Sequence, residues 1–277
     1  MRDTAKERRT RARYRERIRA HETVNVMEKG LLYFFYRPKV MPAGAQAHPH
    51  GLQDVQRLYM IMHPRQPKGS FRLIIVGHKK MPLPSVRGHK RFWGFIDDVS
   101  PNAVRIQQDT GGNVHATKTR GVERQPVARP AGEGEYELLR HGDHTHLVFK
   151  LDLPVKRGPV QEVLRIEDQA SYIISVKNPD QPSPRGMRFG SRRKPQYPSQ
   201  LKAKFRTLKF IDADPVQLLD YPGTQFVLIS ASARPQKELG IKIETESEKA
   251  AEQELFKDLG LEKGKRPLAP ILTGQWE

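Results

Sequence analysis

The chain has 277 residues, no cysteine, 22 prolines, 21 glycines, a hydrophobic fraction of 36% and a formal charge of +18. The lack of cysteine excludes disulfides, iron–sulfur clusters, thiolate zinc sites and a cysteine nucleophile, and it fits a reducing compartment. No apolar run approaches the roughly 18 residues of a membrane span, and the N-terminus lacks the apolar core of a signal peptide, so a cytoplasmic protein without a membrane partner is expected.

In chain order, residues 2–22 read as a charged helix in which Arg and Glu alternate at helical spacings. Its apolar stripe is thin, which suits a segment that orders on meeting a partner. Residues 30–37 are the first predicted strand. Their aromatic and aliphatic residues do not alternate with polar ones, which implies burial on both faces or a strand leading into the core. Strands follow at 55–62, 71–77 and 91–97, and 102–107 read as a further one. Residues 108–133 are polar and carry two glycine turns, and read as a linker. Strands recur at 134–140, 145–153, 171–177 and 207–212, with a short helix or strand over 159–168. Residues 180–198 are a Pro-, Ser- and Arg-rich loop. Pro198-Ser199 opens a short helix, Asp214-Pro215 starts a helical turn, and residues 225–230 form a strand. Residues 246–259 form a helix that Gly260 stops. A Pro-rich tail ends the chain.

Four landmarks recur in order in the two halves. Gly30 to Arg37 matches Gly134 to Arg140, with Tyr33 and Arg37 opposite Tyr136 and Arg140. Val55 to Pro64 matches Thr145 to Pro154. The run ending Lys80-Met81-Pro82 matches the run ending Lys177-Asn178-Pro179. Phe95-Ile96-Asp97 matches Phe210-Ile211-Asp212. An offset of roughly a hundred residues suits a duplicated small domain rather than a solenoid. The expected fold is mainly β with minor α: two internally duplicated small β-barrel or β-sandwich-like units plus N- and C-terminal helices. The implied division is a basic tail (1–29), a first repeat (30–107), a linker (108–133), a second repeat (134–235) and a C-terminal helix and tail (236–277).

The charge points to nucleic acid, RNA or DNA, or another polyanion. Nine Lys and Arg against three acids in the first twenty residues leave +12 for the body. In the tail the candidates are Arg8, Arg9, Arg11 and Arg13. In the body, residues 181–211 hold nine basic residues and no acid. Arg185, Arg188, Arg192, Arg193 and Lys194 precede Lys202, Lys204 and Arg206. Phe189, Tyr197 and Phe205 interleave with them, so cations for phosphates stand beside rings that stack on bases or anchor the loop. The repeated Tyr33/Arg37 and Tyr136/Arg140 pairs offer matching anion contacts or plain strand-end packing.

His141, Asp143, His144 and His146 form the densest cluster of metal-type ligands, but their spacing matches no established zinc motif. No metal and no cofactor are expected: there is no Walker loop, dinucleotide fingerprint or nucleophile elbow. The leading function is non-catalytic nucleic-acid binding through phosphates. The alternatives are a metal-dependent hydrolase with its His-rich site between the repeats, and a protein-interaction scaffold.

Several stretches together resemble an uncharacterised family of bacterial and fungal proteins, some fungal members of which are labelled BTB-domain transcription factors. They are Thr117 to Gly121, Ala128 to Gly134, His144 to Leu147, Ser171 to Pro179 and Leu219 to Pro222, and the resemblance spans about residues 28–235. It brings no established activity and no catalytic residues. The BTB label implies a helical cluster with a small sheet, which the strand-rich pattern does not match.

Overall fold

The structure, a computed structural model, describes residues 24–42, 48–66, 69–84, 91–117, 121–184, 193–243, 245–261, 264 and 266–276. The charged helix expected over 2–22 lies outside these residues, as do Arg8, Arg9, Arg11, Arg13, Arg185, Arg188 and Arg192.

The strands β1 (Val24–Pro38), β2 (Met41–Pro42), β3 (Val55–Pro64), β4 (Phe71–Val76) and β5 (Arg91–Ser100) precede helix α1 (Ala103–Thr110). A hairpin of β6 (Asn113–Thr117) and β7 (Gly121–Gln125) follows, then β8 (Arg129–His141) and β9 (His144–Leu153). Next come α2 (Pro159–Leu164), β10 (Gln169–Lys177), α3 (Ser199–Ala203), β11 (Phe210–Asp212) and β12 (Gln225–Ser232). The chain closes with α4 (Pro235–Leu239), α5 (Glu248–Leu259) and α6 (Ala269–Leu272).

Eight strands make one closed antiparallel barrel, in the order β1, β3, β4, β5, β12, β10, β9, β8 and back to β1. Closure removes the open edges on which strands of other chains could add. The short β11 continues the edge of β10 beyond its pairing with β9. Strands from both halves therefore share a single barrel where two separate small units were expected. Long-range pairings, β12 with β5 and β8 with β1, knit the halves together.

Alternation assigns the two faces of each strand. Leu32, Phe34 and Tyr36 of β1 fill the interior with Met60, Phe149, Tyr172 and Phe226. Leu31, Tyr33 and Phe35 point the other way, into a second apolar layer with Ile106 of α1 and Leu255 and Leu259 of α5. This two-sided burial is why residues 30–37 lack alternation. Inside the barrel, Arg72 donates to both oxygens of Glu28, at 2.5 and 2.9 Å, and to Asp220 at 2.7 Å, while the Tyr136 hydroxyl donates to Glu28 at 2.7 Å. Arg72 and Glu28 thus partner each other, the condition under which buried charges are tolerated.

Several expectations change. Residues 103–107 belong to α1, because the Asn102 side chain accepts from the Val104 amide and caps a helix. The segment 108–133 is occupied by the end of α1, the β6–β7 hairpin and the start of β8. The C-terminal tail is built in: Ile271 is fully buried, and Trp276 packs edge-on to Tyr36 at 5.3 Å. The helix α5 matches its expected span, with Ser247 capping its start and Gly260 left-handed at its end. Among the described residues no helix is long and apolar enough to cross a membrane.

Candidate nucleic-acid interface

The acid-free basic stretch reaches the barrel where β10 ends and β12 begins. There a cleft of about 500 Å³ opens between the turn after Lys177, the segment 193–195 and Gly223. One wall is fixed by Asn178. Its backbone amide donates to Lys209 O at 2.9 Å, its side-chain amide donates to Leu208 O at 3.0 Å, and its side-chain oxygen accepts from the Asp180 amide at 3.0 Å. The opposite wall is fixed by Gly223. With φ at +93° it adopts a conformation that other residues rarely take, and a Cβ there would sit 2.7 Å from Arg193 O. Tyr197 holds the same segment down: its hydroxyl lies 2.8 Å from Thr224 Oγ1, and its ring stacks on Phe205 at 5.6 Å.

Three cations line this cleft: Lys177, Arg193 and Lys194. Arg193 and Lys194 are exposed, whereas Lys177 is buried and donates to Asn178 O at 3.0 Å and Gln181 O at 2.7 Å. Burial, and then the neighbouring Lys194, hold the Lys177 ammonium below the ordinary lysine range. One carboxylate, Asp180, also borders the cleft, and Lys202 pairs with it at 3.0 Å. An anion entering here meets the exposed cations Arg193 and Lys194, which can neutralise phosphate charge.

A second depression, of about 220 Å³, lies across β11. Arg140, His144, Lys204, Asp212 and Asp214 border it. Its charges are mixed: Arg140 reaches Asp214 at 3.3 Å and His144 reaches Asp212 at 3.8 Å. The histidine cluster separates. His146 is buried against Ser171 at 3.0 Å, and burial pushes its pKa down to about 4, so it is neutral at pH 7. His144 is exposed on the depression, and the His141 ring meets His146 edge-on at 5.8 Å. Among the described residues no three His, Asp or Glu converge on a point that could hold a metal ion.

Of the sequence candidates, Arg193, Lys194 and Lys202 gather at or beside the cleft, Lys204 borders the second depression, and Arg206 lies in the turn after α3. The Tyr/Arg pairs do not correspond to one another. Tyr33 faces outward and donates to Asp258 at 3.3 Å, while Tyr136 faces the interior. Arg37 is buried with its guanidinium on the carbonyls of Asp109, Gly111 and Pro126, so it offers nothing to a phosphate, whereas Arg140 is exposed. Phe95 and Phe210 also differ in place: one is on barrel strand β5, the other on the edge extension β11.

Two features escaped the sequence reading. Lys177 closes an apolar strand and resembles a strand-end charge until the fold brings Arg193 and Lys194 beside it. Glu133, Glu135 and Glu137 alternate along β8, a spacing that puts three carboxylates on one face, and that spacing was the available signal. Comparison with known protein families, curated proteins and solved structures finds no match to this chain.

Proposed function

We propose that this protein is a non-catalytic binder of nucleic acid that contacts phosphates through the cleft at the end of β10. The observation that carries this is the convergence of Lys177, Arg193 and Lys194 on preorganised walls, with the one acid on the rim, Asp180, held by Lys202. The overall charge of +18 draws polyanions toward it. The test is fluorescence anisotropy with a labelled oligonucleotide over a salt series. Two phosphate contacts on a single strand, from the exposed Arg193 and Lys194, give a log–log slope of about −1.4. A flat slope, or no binding at low salt, removes the proposal.

We also propose that the barrel arose by duplication of a four-stranded meander. Strands β1, β3, β4, β5 and strands β8, β9, β10, β12 follow one another in the same way around the barrel. Gly30 pairs with Tyr136 and Leu32 with Gly134, symmetrically about the Leu31–Glu135 pair. At both glycines a Cβ would run into a neighbouring carbonyl, His63 O for one and Lys150 O for the other. In this arrangement β5 corresponds to β12, and β11 has no counterpart. Superposing the two meanders in chain order checks the idea, and strands that fail to overlay in that order would end it.

A further inference from the structure

We propose that the cleft accepts one unpaired nucleotide, a strand end or a nucleotide turned out of its stack, rather than the surface of a duplex. This rests on the nucleic-acid reading above and goes further by naming what enters.

The first reason is shape. A cleft of about 500 Å³ falls within the roughly 300–1,000 Å³ of sites that enclose small ligands. A duplex presents a convex surface on which phosphates are the outermost groups. Such a surface touches the rim cations and leaves a concavity empty. A single nucleotide has a phosphate and a flat base to place inside it.

The second reason is the chemistry of the lining. Cations alone would suit any phosphate. Here Pro179, Pro182 and Pro195 add apolar residues to the lining, and Gln181 adds a residue whose carboxamide can both donate and accept. Apolar faces and amide groups match a base, which is flat, weakly hydrated on its faces and edged with donors and acceptors. An anion site for free phosphate has no use for them.

The third reason is continuity. A neighbouring depression of about 170 Å³, bordered by Tyr197 and Lys202, shares Lys194, Pro179, Pro195 and Asp180 with the main cleft, and Lys202 pairs with that Asp180 at 3.0 Å. Lys194 stands at the joint, where the phosphodiester linking an enclosed nucleotide to the next one would lie. The walls are already held by Asn178, Gly223 and Tyr197, so little ordering opposes entry.

The test uses the full chain at low salt. A labelled mixed-sequence single-stranded 12-mer is titrated by anisotropy, in parallel with a covalently closed duplex circle at equal nucleotide concentration. Nucleoside 5′-monophosphates and inorganic phosphate serve as competitors at equal millimolar concentration. The expected result is at least tenfold preference for the single strand, with competition by the monophosphate and not by inorganic phosphate. Gln181→Leu should weaken single-strand binding several-fold and leave duplex binding unchanged. Equal affinity for both nucleic acids, or phosphate competing as well as the monophosphate, overturns the enclosed nucleotide while leaving the nucleic-acid reading in place. Absence of binding to either nucleic acid removes both.

Discussion

The cleft at the end of β10 and the seam beneath α5 both crowd like charges, and they resolve the crowding in opposite ways. In the cleft, Arg193 and Lys194 stay exposed to water and the walls remain open. In the seam, Glu133 and Glu135 of β8 and Asp152 of β9 face Glu246, Glu254 and Asp258 on and before α5. Arg65 reaches Glu135 at 2.6 Å, Glu246 at 2.7 Å and Glu254 at 3.5 Å, and His63 pairs with Asp258 at 3.0 Å. Glu133 is only 1% exposed, and among the described residues neither of its oxygens has a hydrogen-bond partner. Burial first, then Glu254, Asp152, Glu246 and Asp258, push its pKa up to about 9. Burial raises Glu135 to about 7 against the pull of Arg65, and raises Asp152 to about 6. The seam thus relieves its repulsion by keeping protons. In the cleft, burial and Lys194 hold the Lys177 ammonium below the ordinary lysine range, whereas Arg193 keeps its proton at neutral pH; Asp97 offsets part of its charge, and a bound anion would offset more.

The largest effect that sharpens this contrast is expected at Glu133. Its folded pKa lies above the ordinary 4.5, so the folded state holds a proton that the unfolded state releases between pH 4.5 and about 9. Stability therefore falls as pH rises through that window. At pH 7 the cost is about 3 kcal/mol, taken from the pKa gap. Glu133→Gln keeps the shape and removes the titration. It should raise stability by up to about 3 kcal/mol at pH 7 and flatten the decline between pH 5 and 8. Urea unfolding at several pH values measures both. An unchanged pH slope in the variant would show that the proton is held elsewhere in the seam.

A smaller effect is expected on the cleft side, at Gly223. Alanine there takes on a positive φ and meets the Arg193 carbonyl. Strain at one such position costs about 1–3 kcal/mol. Gly223→Ala should lower stability by that amount and leave the main pH dependence in place, because the most strongly shifted carboxylates, Glu133, Glu135 and Asp152, lie in the seam. If the variant altered the pH slope instead, the two regions would be coupled and the contrast between them would fail.

The difference between the regions also shows what was legible in the sequence. The basic stretch 181–211 announces itself by composition, because a run of cations without acids needs no fold to be seen. Its convergence with Lys177 depends on where β10 ends relative to β12, and those strands are joined through non-local pairings. Helix α5 was legible from Ser247 and Gly260, which act locally. The seam it covers was not, since its carboxylates come from β8, β9 and the segment 246–258. The repeated landmarks mixed sound and misleading signals. Gly30 and Gly134 are backbone-constrained positions in equivalent pairings, whereas Tyr33 and Tyr136 stand on opposite faces of the sheet. A one-residue difference in spacing from the preceding glycine inverts a side chain in a strand, and a match scored by residue type does not register it.

The smallest expected effect on stability is at Lys194, and it is the one that separates holding the fold from holding a ligand. The side chain is exposed at the mouth of the cleft and shared with the neighbouring depression. Surface substitutions of this kind change stability by no more than about 0.5 kcal/mol. Its removal should even ease the repulsion that lowers the Lys177 pKa. Lys194→Ala should therefore unfold with the wild-type midpoint yet bind oligonucleotide roughly tenfold more weakly at low salt, with a salt slope shallower by about one contact. In the seam, the corresponding removal of a like charge acts on stability, because neighbouring carboxylates are buried with it. In the cleft it acts on affinity, because the anion comes from outside. Equal loss of stability and binding in Lys194→Ala would mean that this lysine supports the wall of the cleft and does not meet phosphate.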